Sequence, residues 1–391
     1  MNQYKIPEGF RFAAMDAGIA SGERLDLALA VADTPSPAAL VTTTNKVIAS
    51  CVALNRSHMR SNDGLVRAIL VNAGCANACT GEQGDADALR CAEILAGLLD
   101  CPVEQILVFS TGVIGKPLPM DRFEAGIPKL HAALSRIPEN VEAWAKAILT
   151  TDLVTKIQER QIGTGTLLGI AKGSGMIHPN MATMLGFLFG DAELPLELGV
   201  LLQAALARSF HLISVDGDTS TNDSLLLWSS AKQNLGDSGD EAAWIEALHD
   251  CSRELAKSIV RDGEGAKKLL RVEARGAATG HQAQVAARTI ASSLLVRTAV
   301  AGEDANWGRI LAAAGRSGAE IDTRKAKVGI GEAVLFSDDQ PHAAAEAAAT
   351  EHLRGDEVLL WCDLGCGQES AEYWTCDLTE GYIRINADYR T

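Results

Sequence analysis

The sequence has 391 residues, which is enough for two or three domains with a large core. Hydrophobic residues make up 47% and charged residues 22%, a composition typical of soluble globular proteins. The net charge of −15 argues against general nucleic-acid binding, because phosphate contacts need a basic surface. No stretch has the length and apolarity of a membrane span, and the N-terminal residues lack the apolar core of a signal peptide. We therefore expect a cytoplasmic protein with neither a membrane nor a nucleic-acid partner.

Strands and helices alternate along the whole chain. In chain order, the patterns predict a strand at 66–74, a helix at 85–100, a strand at 105–115, a helix at 140–152, a strand pair at 159–176, helices at 193–210 and 241–261, one or two Ala-rich helices beyond 280, and strands near 325–336, 356–363 and 371–385. This alternation predicts a mixed α/β architecture, although the order of the strands cannot be derived from it.

Several motifs suggest ligands that their surroundings do not support. "GTGTLLG" (163–169) and "TGVIGKPL" (111–118) resemble nucleotide-binding loops, but their spacings are incomplete and both are interpreted as turns. The acidic run "DGDTSTND" (216–223) lacks the rest of a calcium-binding loop. The nine cysteines form no CxxC pair, and no histidine cluster lies beside them. We therefore expect reduced thiols and no metal site.

A threonine stands where a glycine-rich segment meets an apolar run, in "GMIHPNMATML" (175–185). Threonine is a weak nucleophile, but its own α-amine becomes an adjacent base once the preceding peptide bond is cut. Such an amine titrates at about 7.7–8.0 in peptides. The small residue Ala182 before Thr183 suits such a cut. The local sequence alone nevertheless favours a threonine that merely begins a buried strand.

A wider resemblance changes that interpretation. The segments that carry it are "VNAGCANACTG" (71–81), "STGVIG" (110–115), "ILTTD" (148–152), "KGSGMIHPNMATML" (172–185), "SVDGDTSTND" (214–223), "RDGEGAKK" (261–268), "GEDANWGRI" (302–310) and "CDLTEGYIRINADYRT" (376–391). In this order they resemble the ornithine acetyltransferase family, also called glutamate N-acetyltransferases. The resemblance extends over nearly the whole chain.

The resemblance implies an α/β fold of the N-terminal-nucleophile type, in which helices flank a sandwich of sheets. It also implies a second, smaller α/β domain toward the C-terminus, beginning at about residue 280. Self-cleavage would give an alpha chain, 1–182, and a beta chain, 183–391, assembled as two copies of each. The implied reaction moves an acetyl group from N-acetylornithine to glutamate through an acetyl-threonine intermediate, in arginine biosynthesis.

The family's functional residues map onto single positions of this sequence. The resemblance implies that Thr183 is the nucleophile released from Ala182, and that Thr111 and Gly112 form the oxyanion hole. Lys172 would pair with a substrate carboxylate or lower the pKa of the nearby amine, and Glu264 would bind a substrate ammonium group. The substrate-binding set that the resemblance implies consists of Thr150 (favoured over Thr151), Lys172, Thr183, Glu264, Asn386 and the ordered terminal Thr391.

The sequence departs from the family pattern at Cys75, often polar in the family, and at His178, frequently alanine. Three alternatives stay open: an amidase or aminopeptidase of the same fold that uses water as the acceptor, a binding protein that never cleaves, and a transferase of a specialised pathway such as antibiotic biosynthesis. No metal or organic cofactor is expected. Whether acetyl-CoA also serves as an acetyl donor is left open.

Overall fold

The structure, a computed structural model, describes residues 4–178, 184–194, 197–234 and 238–388. It divides into two compact units, each with its own core. The first contains the residues up to His211 together with Asp218–Ile259, and the second contains Leu212–Gly217 and, of the described residues that follow, 260–388. Among the helices of the described residues, none is both long and apolar enough to cross a membrane.

The first unit is built on an eight-stranded sheet with helices beside it. Its strands are β1 (Phe10–Met15), β2 (Leu27–Thr42), β3 (Leu65–Cys75), β4 (Ile106–Val113), β5 (Lys156–Ile162), β6 (Gly165–Lys172), β7 (Leu185–Glu193) and β8 (Ser224–Asn234). Its helices are α1 (Ser50–Ser61), α2 (Gly81–Leu99), α3 (Met120–Ala132), α4 (Glu139–Ala147), α5 (Leu198–Ala207) and α6 (Ser238–Arg261).

The strands follow the order β4-β3-β2-β8-β7-β6-β5, with β1 paired to β2. The long strand β2 belongs to both halves of this sheet, because its first part pairs with β1 and β3 and Ala38–Thr42 pair with β8. Strands β3 and β4 are parallel, as are β7 and β8. The connection between β6 and β7 contains the Ala182–Thr183 bond, and both residues lie outside the described part of the chain.

Aromatic contacts show that the two halves of the sheet lie face to face. The ring of Phe109 on β4 lies 5.1 Å from that of Phe187 on β7, although three strands separate these two in the strand order. Phe12 and Phe189 make a similar edge-to-face contact at 5.0 Å. Strands so far apart in the order can meet only if the sheet folds into two layers, which here share an apolar core.

Helices cover the outer faces of both layers. A second apolar cluster joins the outer face of β2, β3 and β4 to α1, α2 and α3. On the opposite side, Gly169 lets α6 approach β6, since a Cβ there would lie 2.6 Å from the Cys251 sulfur. The layers therefore run helices, sheet, sheet, helices. This is the α/β sandwich that the sequence predicts.

The second unit is a six-stranded sheet in the order β12-β11-β10-β13-β9-β14. Its strands are β9 (Leu269–Ala277), β10 (Lys327–Ile330), β11 (Ala333–Ser337), β12 (Gln340–Pro341), β13 (Glu357–Asp363) and β14 (Glu369–Cys376). Its helices are α7 (Gly280–Ala291), α8 (Leu294–Ala301), α9 (Trp307–Gly315), α10 (Glu346–Leu353) and α11 (Glu380–Asp388). Alanines of α7 and α9 pack into its core, which confirms a smaller α/β domain toward the C-terminus.

Most predicted elements are confirmed, and two predictions are wrong. Residues 280–315 form three helices, α7, α8 and α9, where one or two were predicted. The expected strand pair at 159–176 is the β5–β6 hairpin, with Gly163 at positive φ in its turn. The strand predicted at 371–385 ends at Cys376, and Glu380–Asp388 form α11. Ile383, in the part that was predicted as strand, is 69% exposed, so this segment has no buried strand face.

Candidate active site

The ends of β3 and β4 form the backbone of the candidate oxyanion hole. In this parallel pair, Thr111 lies beside Ala73 and Gly112 beside Gly74. Gly112 has a φ of +127°, and a Cβ there would lie 2.5 Å from the carbonyl carbon of Gly74. Only glycine fits so close to a neighbouring backbone in this conformation. The sequence "STGVIG" therefore ends a buried strand in a tightly packed turn with Thr111 half-buried.

Lys172, the last residue of β6, brings two of the predicted site residues together. Its ammonium group donates a hydrogen bond to Thr150 Oγ1 at 2.7 Å and one to Thr111 Oγ1 at 3.4 Å. Lys172 as a residue is only 6% exposed, so these contacts hold it away from bulk water. Thr111, Thr150 and Lys172 come from three separate segments, and the structure places them in one cluster.

A fully buried carboxylate, Asp152, supports this cluster, although no sequence pattern had predicted it. Asp152 lies 2.7 Å from the ammonium nitrogen of Lys156 and 3.8 Å from that of Lys172. It also accepts hydrogen bonds from the backbone N–H groups of Gly173, at 2.6 Å, and Thr150, at 3.1 Å. The only available signal was an acidic residue directly after the two threonines of "ILTTD".

The surroundings of Asp152 keep it ionised. Burial acts to raise its pKa, but the ammonium groups of Lys172 and Lys156 and the hydrogen bond from Gly173 outweigh burial. The pKa of Asp152 therefore lies well below its ordinary value. The Asp152 carboxylate in turn compensates the positive charges of the two lysines that flank it.

A buried asparagine, Asn222, fixes the backbone beside the candidate oxyanion hole. Its amide donates to the carbonyl oxygen of Ser110 at 2.8 Å and to that of Ala76 at 2.7 Å. Ser110 itself donates to Asn72 Oδ1 at 2.7 Å, so a network of buried hydrogen bonds connects the C-terminal ends of β3 and β4. Because Ser110 directly precedes Thr111, this network determines where the Thr111–Gly112 segment lies. The sequence segment "SVDGDTSTND" contains Asn222, but its role was not predicted.

The second unit contains the other two described site residues. Asn386 on α11 donates a hydrogen bond from its amide to Glu264 Oε2 at 2.7 Å. Glu264 is 8% exposed and lies in the turn between α6 and β9, next to the backbone of α11. The structure thus brings these two predicted residues into contact, although 122 positions separate them. The remaining predicted residues, Ala182, Thr183 and Thr391, lie outside the described residues.

Comparison with known proteins gives consistent matches over the chain. A model described as the ArgJ family matches residues 11–391. The arginine biosynthesis bifunctional protein ArgJ of Parasynechococcus marenigrum is 45% identical over 390 residues, covering 98% of this chain and 94% of that protein. The protein of the same name from Symbiobacterium thermophilum is 46% identical over 397 residues, covering 98% of each. A crystal structure of the arginine biosynthesis bifunctional protein ArgJ from Bacillus halodurans is 40% identical in sequence and has a TM-score of 0.50; the match covers 53% of this chain and 100% of that chain.

Proposed function

The chain belongs to the ArgJ family, and from this premise we propose how its residues carry out acetyl transfer. The protein is an enzyme of arginine biosynthesis, an ornithine acetyltransferase that moves the acetyl group of N-acetylornithine to glutamate. The observation that best supports the assignment of residues is the cluster of Thr111, Thr150 and Lys172, which joins three segments of the family pattern at one place.

Thr183 is the proposed nucleophile, and its own α-amine is the base after the bond from Ala182 is cut. Its hydroxyl oxygen attacks the acetyl carbonyl, the C–N bond of N-acetylornithine breaks, and the proton passes through the α-amine to the leaving amine. The amine of glutamate then attacks the ester, which releases N-acetylglutamate and restores the threonine. The register of β6 and β7 supports this role for Thr183. Leu185, two residues after Thr183, pairs with Lys172, which belongs to the cluster with Thr111 and Thr150.

Thr111 and Gly112 are proposed to stabilise the negative oxygen of the tetrahedral intermediates. The oxygen of Thr111 accepts a hydrogen bond from Lys172, so its own O–H remains available as a donor. The backbone N–H of Gly112 is the proposed second donor. Loss of one such donor typically lowers a rate about a hundred- to a thousandfold.

Lys172 is proposed to act on the nucleophile's side of the reaction. Lys172 is buried against Thr150 and Asp152. This favours a role as a fixed positive charge over a role as an ion-pair partner for the substrate carboxylate. A fixed positive charge lowers the pKa of a nearby amine and raises the fraction of neutral base near pH 7. Thr150, whose oxygen accepts the Lys172 hydrogen bond, keeps its O–H to donate to the substrate.

Glu264 is proposed to bind an ammonium group of the amino-acid substrates. Asn386 donates to one of its carboxylate oxygens, which leaves the other oxygen to accept a substrate hydrogen bond. Thr391 completes the proposed binding set. No metal or organic cofactor enters this scheme.

Self-cleavage is proposed to give chains 1–182 and 183–391, two copies of each forming the active assembly. The chain boundaries support a sheet shared between the two products, since β6 precedes the bond and β7 follows it. Residues 183–391 make up 53% of this sequence. The match to the Bacillus halodurans crystal structure also covers 53% of this chain, and it covers that chain completely, as expected if that chain corresponds to one cleavage product.

Intact-mass measurement under denaturing conditions tests the nucleophile. We expect two chains, 1–182 and 183–391, from the active protein, and one uncleaved chain without transfer activity from Thr183→Ala. The control Thr298→Ala changes an exposed threonine of α8 and should keep both properties. A fully active protein that consists of one intact chain would contradict the mechanism.

An assay of ornithine release from N-acetylornithine separates the transferase from a hydrolase. Release should depend on glutamate, because the acetyl-threonine ester needs an amine acceptor to turn over. Release at the same rate without glutamate would identify water as the acceptor and support an amidase. Incubation with acetyl-CoA and glutamate then determines whether acetyl-CoA is a second donor.

A further inference from the structure

A loop of the first unit, residues 16–26, connects β1 to β2 and contacts two parts of the candidate active site. One part of the loop lies against the end of β3, beside the candidate oxyanion hole. The other part carries Arg24, which reaches the segment of Thr150. The proposed acetyl transfer assigns no role to any residue of this loop, so these contacts need a separate explanation.

Asp26 fixes the conformation of the loop. Its carboxylate is fully buried and accepts hydrogen bonds at 2.5–2.9 Å from the backbone N–H groups of Ala17, Ile19 and Ala20. These three donors replace the water that the carboxylate loses on burial. The backbone of Asp26 is itself fixed, because its carbonyl oxygen accepts a hydrogen bond from the N–H of Ala73 at 2.9 Å. The loop is therefore anchored near the end of β3.

The anchored part of the loop packs directly on the backbone beside the candidate oxyanion hole. Gly74, which pairs with Gly112, has a φ of +106°, and a Cβ there would lie 2.7 Å from the Cα of Ala20. Only glycine permits so close an approach in this conformation. Gly74 therefore contacts both the loop and Gly112.

Arg24 connects the loop to the segment that follows α4. Its guanidinium group donates a hydrogen bond to the carbonyl oxygen of Leu149 and one, at 3.4 Å, to that of Thr150. These carbonyls lie just beyond the C-terminus of α4, where a positive charge is favourable because the helix end carries partial negative charge. The planar guanidinium group presents several donors in a fixed arrangement, so it can serve two neighbouring carbonyls at once.

With Arg24 included, each polar group of Thr150 has a partner. Its N–H donates to Asp152 at 3.1 Å, and its hydroxyl oxygen accepts from Lys172 at 2.7 Å. Its carbonyl oxygen accepts from Arg24, which is half-buried. Lys172 already links Thr150 to Thr111. Arg24 provides a second link, because the loop that carries it packs on the end of β3.

We propose that Arg24 is a positioning residue for acetyl transfer, which holds the Thr150 hydroxyl where it meets the substrate. The inference rests on the proposed role of Thr150 in substrate binding. Without the guanidinium group, the carbonyls of Leu149 and Thr150 lose a charged donor, and the segment can shift relative to the end of β3. Arg24 thus acts through Thr150 and does not itself contact the reacting atoms.

Steady-state kinetics of Arg24→Gln test the proposal. We expect the KM for N-acetylornithine, at saturating glutamate, to rise at least tenfold while kcat changes less than threefold, because the weakened contact binds substrate and transition state alike. Arg24→Lys keeps the charge but not the forked donor and should recover part of the loss. The matched control Arg122→Gln removes an arginine that donates to the carbonyl of Gly18 in the same loop. Its KM should stay within twofold of wild type.

A double variant determines whether Arg24 acts through Thr150. We expect Thr150→Val alone to raise the KM at least tenfold, and Arg24→Gln to add less than twofold to that change, because two residues that act through one contact are not additive. Urea denaturation at pH 7 checks that each variant is folded, and Arg24→Lys replaces Arg24→Gln in the cycle if the latter is not.

The outcomes separate the inference from the proposed function. An unchanged KM in Arg24→Gln, or the same rise with and without Thr150→Val, would overturn the positioning role and leave the role of Thr150 intact. An unchanged KM in Thr150→Val would overturn both roles. Glutamate-dependent release of ornithine, measured on the unaltered protein, tests the transferase activity separately.

Discussion

Lys172 keeps its position because a carboxylate without solvent contact lies 3.8 Å from its ammonium group. Asp152 compensates the charges of Lys172 and Lys156 and also fixes the backbone of Thr150 through a hydrogen bond. Removal of one member of a buried ion pair leaves the other charge without compensation, which typically costs about 3–5 kcal/mol. Asp152 is thus a positioning residue for the cluster that surrounds the proposed reaction.

The substitution Asp152→Asn tests this role. We expect the free energy of unfolding at pH 7, from urea denaturation, to fall by about 3–5 kcal/mol. The control Asp250→Asn removes a carboxylate paired with Arg160 in a half-exposed setting, where the loss should stay within about 1 kcal/mol. Equal losses in the two variants would contradict the role given to burial.

The stability difference between wild type and Asp152→Asn should also depend on pH. The folded-state pKa of Asp152 is lowered, so its stabilising effect is fully present above the ordinary value of 3.8. The effect is lost as the pH falls through the lowered folded-state pKa. The stability difference between wild type and Asp152→Asn should therefore stay constant from about pH 8 to about pH 5 and shrink below about pH 4. A difference that changes between pH 5 and pH 8 would point to another titrating group.

The resemblance placed three residues of the cluster at the proposed site, but the residues that position them were not predicted. Thr111, Thr150 and Lys172 lie in segments with a recognisable pattern, and they meet in the structure. Asp152 and Asn222 act through contacts with segments far away in the chain. No local sequence pattern predicts such contacts, since an Asp or Asn side chain in a loop is usually exposed to solvent.

At the level of elements, the close approach of β3 and β4 shapes the candidate oxyanion hole. The parallel strands place Gly74 beside Gly112, and both have positive φ. The two backbones therefore come closer than side chains would permit. The position of the Gly112 N–H depends on this approach as well as on Gly112 itself.

Gly112→Ala should disrupt this arrangement. The added Cβ would meet the backbone of Gly74 and Cys75, so the strand ends must separate. We expect loss of transfer activity by at least a hundredfold, measured as ornithine release, and lower thermal stability. The control Gly97→Ala lies in α2 with no atom within 4 Å of the new methyl group and should be neutral or stabilise by about 1 kcal/mol. Full activity in Gly112→Ala would exclude the proposed geometry.

The elements themselves were largely predictable where a local signal existed. The hairpin of β5 and β6 was evident from its glycine turn, and β3 from its continuous apolar run. The first part of α11 was predicted as a strand, while its packing against the turn at Gly265 is a long-range contact. Elements that depend on such contacts are not determined by periodicity alone.

At the level of the whole molecule, the order of strands was not predictable. The sandwich is defined by contacts such as that of Phe109 with Phe187, between residues 78 positions apart in the chain. Spacing in the sequence carries no information about which strands become neighbours. The resemblance supplied the fold class, and the structure confirmed it.

The two proposed chains should remain together under native conditions. β6 and β7 form an antiparallel pair from Leu167 to Lys172 and from Leu185 to Gly190, and cleavage between Ala182 and Thr183 leaves these hydrogen bonds intact. Native mass spectrometry of the processed protein should show both chains in equal number, with two copies of each. Separation of the chains without denaturant would contradict this prediction.

The β6–β7 pair also makes folding before and after cleavage two different kinds of reaction. In the uncleaved chain, a connection of about a dozen residues holds the strands near each other, so closing it costs little entropy. In the cleaved protein the same pairing must form between two molecules, which adds a loss of translational and rotational freedom. Denatured Thr183→Ala should therefore refold at a rate independent of protein concentration. The mature protein should regain its sheet faster as its concentration rises, so cleavage turns a first-order folding reaction into a second-order one.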